Sequence, residues 1–266
     1  MIHLVCLTKP YNDNDFKLWY KWHKALGIDK IHVFNNDSDL RIDRYVNPPD
    51  TYQYIHGWPD QWNLYNKILN ENTLGFENQD IVIFLDDDEF LWYDMNLPLD
   101  ARLMQQFRML DCVLVPQILL STKDIDEQRS RSLIENSFYR RADLSNQGKC
   151  ILLYNQGNEY DFTKEEQNER GHVPFINGMR YSDVVGSDCS KTTYGLVKYD
   201  APVRLYHYHI KSLDDWKHKL ERGSAANEIQ FYDEDITKNK WYGGYDVIDL
   251  TMLNTAKRLG ILRNDS

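Results

Sequence analysis

Cysteine is scarce and scattered: the chain has four, Cys6, Cys112, Cys150 and Cys189. No C-x-x-C pair and no Cys/His ligand spacing occurs, which excludes a zinc ribbon and a disulfide-dense scaffold and leaves buried free thiols as the expectation. Long apolar runs are missing too. The run Ile81 to Leu85 is typical of the longest, far short of the ~20 residues that cross a bilayer. The opening MIHLVCLTKP is too short for a signal h-region and lacks a cleavage pattern. A soluble, cytoplasmic chain without a transmembrane segment is expected. Positive charge is in deficit, with 31 Lys+Arg against 41 Asp+Glu, a net charge of −10 and a pI near 5.3. Phosphate backbones demand a basic face, so nucleic acid is excluded as the main partner. An anionic small molecule is compatible only where Lys, Arg or a metal ion reverses the sign locally.

Aromatic residues are abundant: 18 Tyr, 10 Phe and 7 Trp make up 13% of the 266 residues. That content excludes intrinsic disorder. The length suits one large α/β domain or two small ones, and with no repeat, low-complexity tract or linker a single domain over 1–266 is the default.

Hydrophobic spacing predicts a buried strand at Ile2 to Leu7. A helix follows from Asp13, with Phe16, Trp19, Tyr20, His23 and Leu26 on one face and Gly27 as its stop. Lys30 to Phe34 reads as a strand, Trp62 to Leu69 as a helix, Asp80 to Leu85 as a strongly apolar strand and Leu99 to Leu110 as a helix. Cys112 to Leu120 reads as an extended run whose Pro116 suggests an edge or a bulge. Strands alternating with helices predict an open, mostly parallel twisted sheet flanked by helices, at least over 1–120. Beyond that, Ser121 to Asn146 is charged and Gln156 to Arg170 polar. Lys149 to Tyr154 and Val203 to Ile210 read as strands, and Leu213 to Glu221 and Thr251 to Leu259 as helices.

Four acids, Asp86-Asp87-Asp88-Glu89, stand between the apolar IVIFL and FLW. Adjacent carboxylates at a strand end repel and need a cation or solvent, and strand C-termini are where open α/β sheets bind ligands. In an extended segment Asp86 and Asp88 point the same way and could share one ion, for which oxygen ligands select Mg²⁺ or Mn²⁺. Near the other end, His207 and His209 share one strand face, and Lys211 and Lys219 could neutralise phosphate charge.

In these blocks the chain resembles GT-A-type glycosyltransferases of family 92 and the related family-2-like group. The resemblance rests on Lys9-Pro10-Tyr11, Trp19 with His23, Leu26 to Ile31, Phe34-Asn35-Asn36-Asp37-Ser38-Asp39, Phe84 to Leu91, and His207-Tyr208-His209-Ile210-Lys211-Ser212 continuing to Lys219 and Arg222-Gly223. The blocks keep the family's order over residues 4 to 223. Pro10 and Tyr11 stand where the family has Asn-Glu, and in the middle only Lys149 and His172 match its landmarks.

The resemblance implies a single GT-A-like domain, with a nucleotide-sugar-binding half at 1–120 and an acceptor-side half at 121–266. It implies hexosyl transfer from a nucleoside-diphosphate sugar, UDP-linked foremost, to a hydroxyl of a glycan or other acceptor, with inversion. Thr8, Lys9, Asn36 and Asp39 would hold base and ribose, and Gln61, between Trp58 and Trp62, would lie at the donor. Asp86, Asp88 and His207 would hold Mn²⁺ or Mg²⁺, with Asp87 and Lys211 beside the diphosphate. The general base is to be sought among Asp188, Asp183 and His172. Two other classes share the acidic block. A metal-dependent nucleotidyltransferase or phosphoesterase should show a Gly-rich phosphate loop, and Thr8 to Asn14 has no glycine. A non-catalytic Ca²⁺-binding carbohydrate-binding protein lacks the supporting D-x-D-x-D-G spacing.

Overall fold

The computed structural model describes residues 1–56, 60–107, 111–121, 131–141, 148–163, 174, 176, 181–183, 201–208, 211–222 and 245–263. Strand β1 (Ile2–Thr8) is buried along its whole length, as a strand covered on both faces must be. It pairs in parallel with β2 (Lys30–Asn36) on one side and with β4 (Ile81–Phe84) on the other, and β3 (Thr51–Ile55) adds in parallel beyond β2. Next to β4 the sheet turns antiparallel through β8 (Gly148–Leu153), which lies between β4 and β6 (Cys112–Ser121). With β7 (Tyr139–Arg141) and β11 (Tyr245–Ile248), the order is β11-β7-β6-β8-β4-β1-β2-β3. Off this path, β10 (Val203–His207) lies between β5 (Glu89–Tyr93) and β6, and β9 (Tyr181–Asp183) pairs with β6. The expected α/β sheet is present, parallel in its N-terminal block and mixed beyond it.

The helices are α1 (Asp13–Ala25), α2 (Gln61–Asn70), α3 (Leu99–Phe107), the single-turn α4 (Leu133–Asn136), α5 (Leu213–Arg222) and α6 (Thr251–Arg258). Helix α1 starts where the Asn12 side chain accepts from the N–H groups of Asn14 and Asp15, and Gly27 leaves it at φ +96°, a left-handed conformation that costs glycine little. The alternation along β1 divides two apolar layers: Leu4 and Cys6 join the layer of Phe16, Trp19 and Trp22, while Val5 and Leu7 join that of Tyr65, Ile68 and Leu69.

Strand β6 is no edge. Cys112 to Pro116 pair with β8, Gln117 to Leu119 with β10, and Leu120 and Ser121 with β7. Pro116 stands where the strand exchanges partners, a place where its missing N–H breaks no continuing ladder. Strand β10 ends at His207 rather than running to Ile210, and the Tyr208 N–H donates to the Asp88 carbonyl at 2.9 Å. Strands β3, β7, β9 and β11 and the 3-10 turn Ile42–Tyr45 go beyond the sequence expectation. Cys6, Cys112 and Cys150 are buried, and Cys189 lies outside the described residues. Among the described residues, no helix is long and apolar enough to cross a membrane.

Candidate functional site

Strands β1, β2 and β4 run parallel, so Thr8, Asn36 and the block after Phe84 share one sheet edge. The acidic block there is a closed turn. The Glu89 N–H donates to the Asp86 carbonyl at 3.1 Å, and the Asp86 N–H donates to Glu89 Oε2 at 2.9 Å. The extended geometry assumed for Asp86 and Asp88 is therefore not what the chain adopts, because the turn aims the two side chains at different partners. Asp86 accepts from Gln61 Nε2 at 3.0 Å and from Lys149 Nζ at 2.9 Å. Asp87 accepts from the Thr8 hydroxyl at 2.7 Å. Asp88 Oδ1 lies 3.4 Å from His207 Nε2.

Helix α1 fixes the turn from below. The indole N–H of Trp19 donates to the Glu89 carbonyl at 2.8 Å and that of Trp22 to the Leu91 carbonyl at 2.7 Å, while the Leu91 N–H donates to His23 Nε2 at 3.2 Å. Side chains of α1 thus satisfy the β5 backbone, and β10 pairs with the same strand.

Behind the turn lies a buried polar network. Lys149 Nζ is 3.2 Å from Glu89 Oε2, and Gln117 Nε2 donates to Glu89 Oε1 at 3.0 Å and to His207 Nδ1 at 2.5 Å. Register explains the convergence: Val115 pairs with Lys149, and His207 with both Glu89 and Leu119. Burial pushes the Glu89 carboxyl up, and Lys149 opposes it. Burial works against the Lys149 charge, but Asp86 and Glu89 outweigh it and raise the ammonium above its usual value. Because Nδ1 of His207 accepts from Gln117, the ring carries its proton on Nε2, facing Asp88.

On the side of the β1–α1 loop, Lys211 is buried, with Nζ 3.6 Å from Asp15 Oδ2 and over the Tyr11 ring at 5.8 Å. Burial lowers its affinity for the proton, but Tyr11, Asp15, Asp88 and Asp87 raise it further. The Tyr11 hydroxyl donates to Asp215 at 2.7 Å, and the Asp215 carboxylate also accepts from Ser212 at 2.7 Å. Beyond β2, the Asn35 amide ties the turn to Ser38 and Tyr52. Asn36 is fully buried, and neither polar atom of its amide has a partner.

The structure brings Thr8, Gln61, Asp86, Asp87, Asp88 and His207 together. Lys9 is half-buried and Asp39 exposed. Asp183 closes β9 opposite Leu114. His172, Asp188, His209 and Trp58 lie outside the described residues. Trp62 stacks on Phe162 at 6.0 Å. Gln117 and Asp15 escape the sequence reading, and Tyr11 and Lys149 enter it only in the blocks compared with the family. The signal available for Gln117 and Lys149 is a single polar residue inside an apolar strand, VLVPQILL or GKCILL.

Mg²⁺ and Mn²⁺ are commonly held by one or two carboxylates plus substrate phosphates rather than by an all-protein cage. Among the described residues, no three His, Cys, Asp or Glu side chains form a ligand cluster, whereas Asp88 and His207 converge with both side chains 15% exposed. That donor pair fits an ion completed by phosphate oxygens.

No protein-family model matches the chain, and no curated protein matches it in sequence. Among solved structures it is similar to the manganese complex of Rv0371C from Mycobacterium tuberculosis H37Rv, at 9% identity and a TM-score of 0.34 over 84% of this chain and 99% of that one. An active-site mutant of LgtC gives 13% and 0.34 over 79% and 88%. UDP-glucose pyrophosphorylase complexed with UDP-glucose gives 8% and 0.29 over 59% and 70%. At such TM-scores the function has to be read from the site's own geometry.

Proposed function

We propose that this chain is a glycosyltransferase that takes a nucleoside-diphosphate sugar, UDP-linked foremost, and moves the sugar to a hydroxyl of a glycan or other acceptor with the help of Mn²⁺ or Mg²⁺. The observation that carries this reading is the Asp88–His207 pair at 3.4 Å on the C-terminal edge of the parallel strands. Asp88 would hold the ion, joined by His207 once Nε2 gives up its proton and the Gln117 amide turns its oxygen to accept from Nδ1–H. The ion supplies Lewis-acid stabilisation of charge on the leaving diphosphate.

The remaining roles belong to side chains. Lys211 would place a fixed positive charge on the side of the β1–α1 loop, where its field reaches Asp87 and Asp88 and a diphosphate would need it. Thr8 orients Asp87. The Asn36 amide, buried with neither polar atom partnered, would have to be uncovered by the donor before its donor and acceptor could meet the imide edge of uracil. The acceptor hydroxyl must lose its proton to a base, proposed among Asp183, Asp188 and His172.

Differential scanning fluorimetry tests the reading. UDP with Mn²⁺ should raise the melting temperature, and Asp88→Ala should abolish the rise. A screen over UDP-, GDP- and TDP-sugars should release nucleoside diphosphate. Release of pyrophosphate from a nucleoside triphosphate instead would identify a nucleotidyltransferase, and stabilisation by Ca²⁺ alone would sink both.

A further inference from the structure

Strand β8 is apolar except at one position. Cys150, Ile151 and Leu152 are fully buried, and among them the Lys149 side chain is only 5% exposed. A lysine in such a place requires compensation, and it has two carboxylates: Asp86 Oδ2 at 2.9 Å and Glu89 Oε2 at 3.2 Å. The other Asp86 oxygen accepts from Gln61 at 3.0 Å, and Gln61 is itself buried. Each oxygen of Asp86 thus has a donor from the protein, and one of those donors is a full positive charge. The backbone gives this lysine no latitude, because Gly148 beside it packs against the Val115 carbonyl and β8 is paired on both sides.

A divalent ion approaching Asp86 would have to displace the ammonium or lie beside it, and like charges so close repel strongly in a poorly solvated site. Asp88 faces His207 rather than the lysine. We infer that Lys149 is a built-in counter-ion that withholds Asp86 from divalent cations, so that, among the described residues, Asp88 and His207 are left to form this chain's side of the ion's shell; the inference rests on the metal-assisted reading above. Lys149 is then a positioning residue: it sets how few protein ligands the ion has and makes the ion depend on the donor's phosphates for the rest. Asp86, held by Lys149 and Gln61, serves to brace the turn through its backbone bonds with Glu89.

Binding of Mn²⁺ alone, followed by the electron paramagnetic resonance of the free ion, tests this without any turnover. Asp88→Asn should weaken binding about tenfold or more, whereas Asp86→Asn should change it less than about threefold. Lys149→Met should release Asp86 and tighten Mn²⁺ binding about tenfold, and Lys149→Arg should return it to the wild-type level. A purely structural lysine would give no tightening. Equal losses in Asp86→Asn and Asp88→Asn overturn the inference, and so does a folded Lys149→Met with unchanged or weaker binding. Should Lys149→Met fail to fold, the double variant Lys149→Met/Glu89→Gln removes both buried charges and is held to the same expectation. If the wild type binds neither Mn²⁺ nor UDP, the transferase reading fails. The counter-ion role is then decided separately, by whether the lysine variants gain an Mn²⁺ site that the wild type lacks.

Discussion

Gln117 Nε2 lies 2.5 Å from His207 Nδ1, and the same nitrogen lies 3.0 Å from Glu89 Oε1. One amide therefore fixes both the tautomer of the histidine and the position of a buried carboxylate. Gln117→Leu should cost about 1–3 kcal/mol, since Glu89 Oε1 loses a buried donor. Nitrogen-15 spectra at pH 8 should show His207 protonated on Nε2 in the wild type and as a mixture of tautomers in the variant. An unchanged tautomer would refute the assignment.

Gly148 tolerates no side chain. A Cβ there would overlap the Val115 carbonyl oxygen, and that oxygen belongs to backbone that cannot step aside. Gly148→Ala should lower stability by about 1–3 kcal/mol through overpacking. Urea denaturation would read this directly, and a stability within error of wild type would show that β6 and β8 can part.

The Tyr11 hydroxyl joins the β1–α1 loop to α5 through Asp215, 204 residues away. Burial holds the phenol protonated, with Lys211 opposing and Asp215 assisting, so it remains a donor at ordinary pH. Tyr11→Phe should cost about 1 kcal/mol. Hydrogen exchange should quicken at the start of α5 and in the loop around Tyr11, and equal exchange in the two proteins would dismiss the clasp.

Acid should destabilise the fold. Burial lowers His23 to about 3 and His32 to about 4, with the neighbouring His3 adding to the effect on His32; burial lowers His3 as well, against the pull of Asp80. The unfolded chain takes up these protons below about 6.5 while the native state refuses them. Stability is thus full above that pH and is lost as pH falls toward 4. Glu89, pushed up by burial, acts in the opposite sense, but one carboxyl faces three histidines. Urea midpoints should drop between pH 7 and pH 5, and His23→Gln should flatten the slope. A slope of the reverse sign would contradict the neutral state of these rings.

Helix α1 and the β1–β2–β4 block are legible in the sequence because their apolar spacing is long and regular. The face of Phe16, Trp19, Tyr20 and His23 is the face that α1 buries. β3 is only partly buried along Thr51 to Ile55, and Ile248 in β11 is exposed, so hydrophobic alternation carries no signal there. In the candidate site, Asp86 and Asp88 are legible from their chemistry, and His207 from its chemistry together with the family resemblance. Their orientations are not, because the turn and the lysine opposite it depend on pairings between distant strands. Likewise Trp19 reads as core in the sequence and Trp22 carries no signal there, and only the position of β5 gives their indole N–H groups carbonyls to meet.

The place of β10 between β5 and β6 dictates when the site can exist. His207 comes 90 residues after Gln117, so a chain emerging from the ribosome displays its four acids long before their histidine has been made. Until then β5 lacks the strand that completes its pairing, and closing so long a loop is among the slower events in folding. On the proposed metal-assisted reading, affinity for a divalent ion should therefore appear only once β10 has paired, which makes metal capture a clock for the docking of that strand.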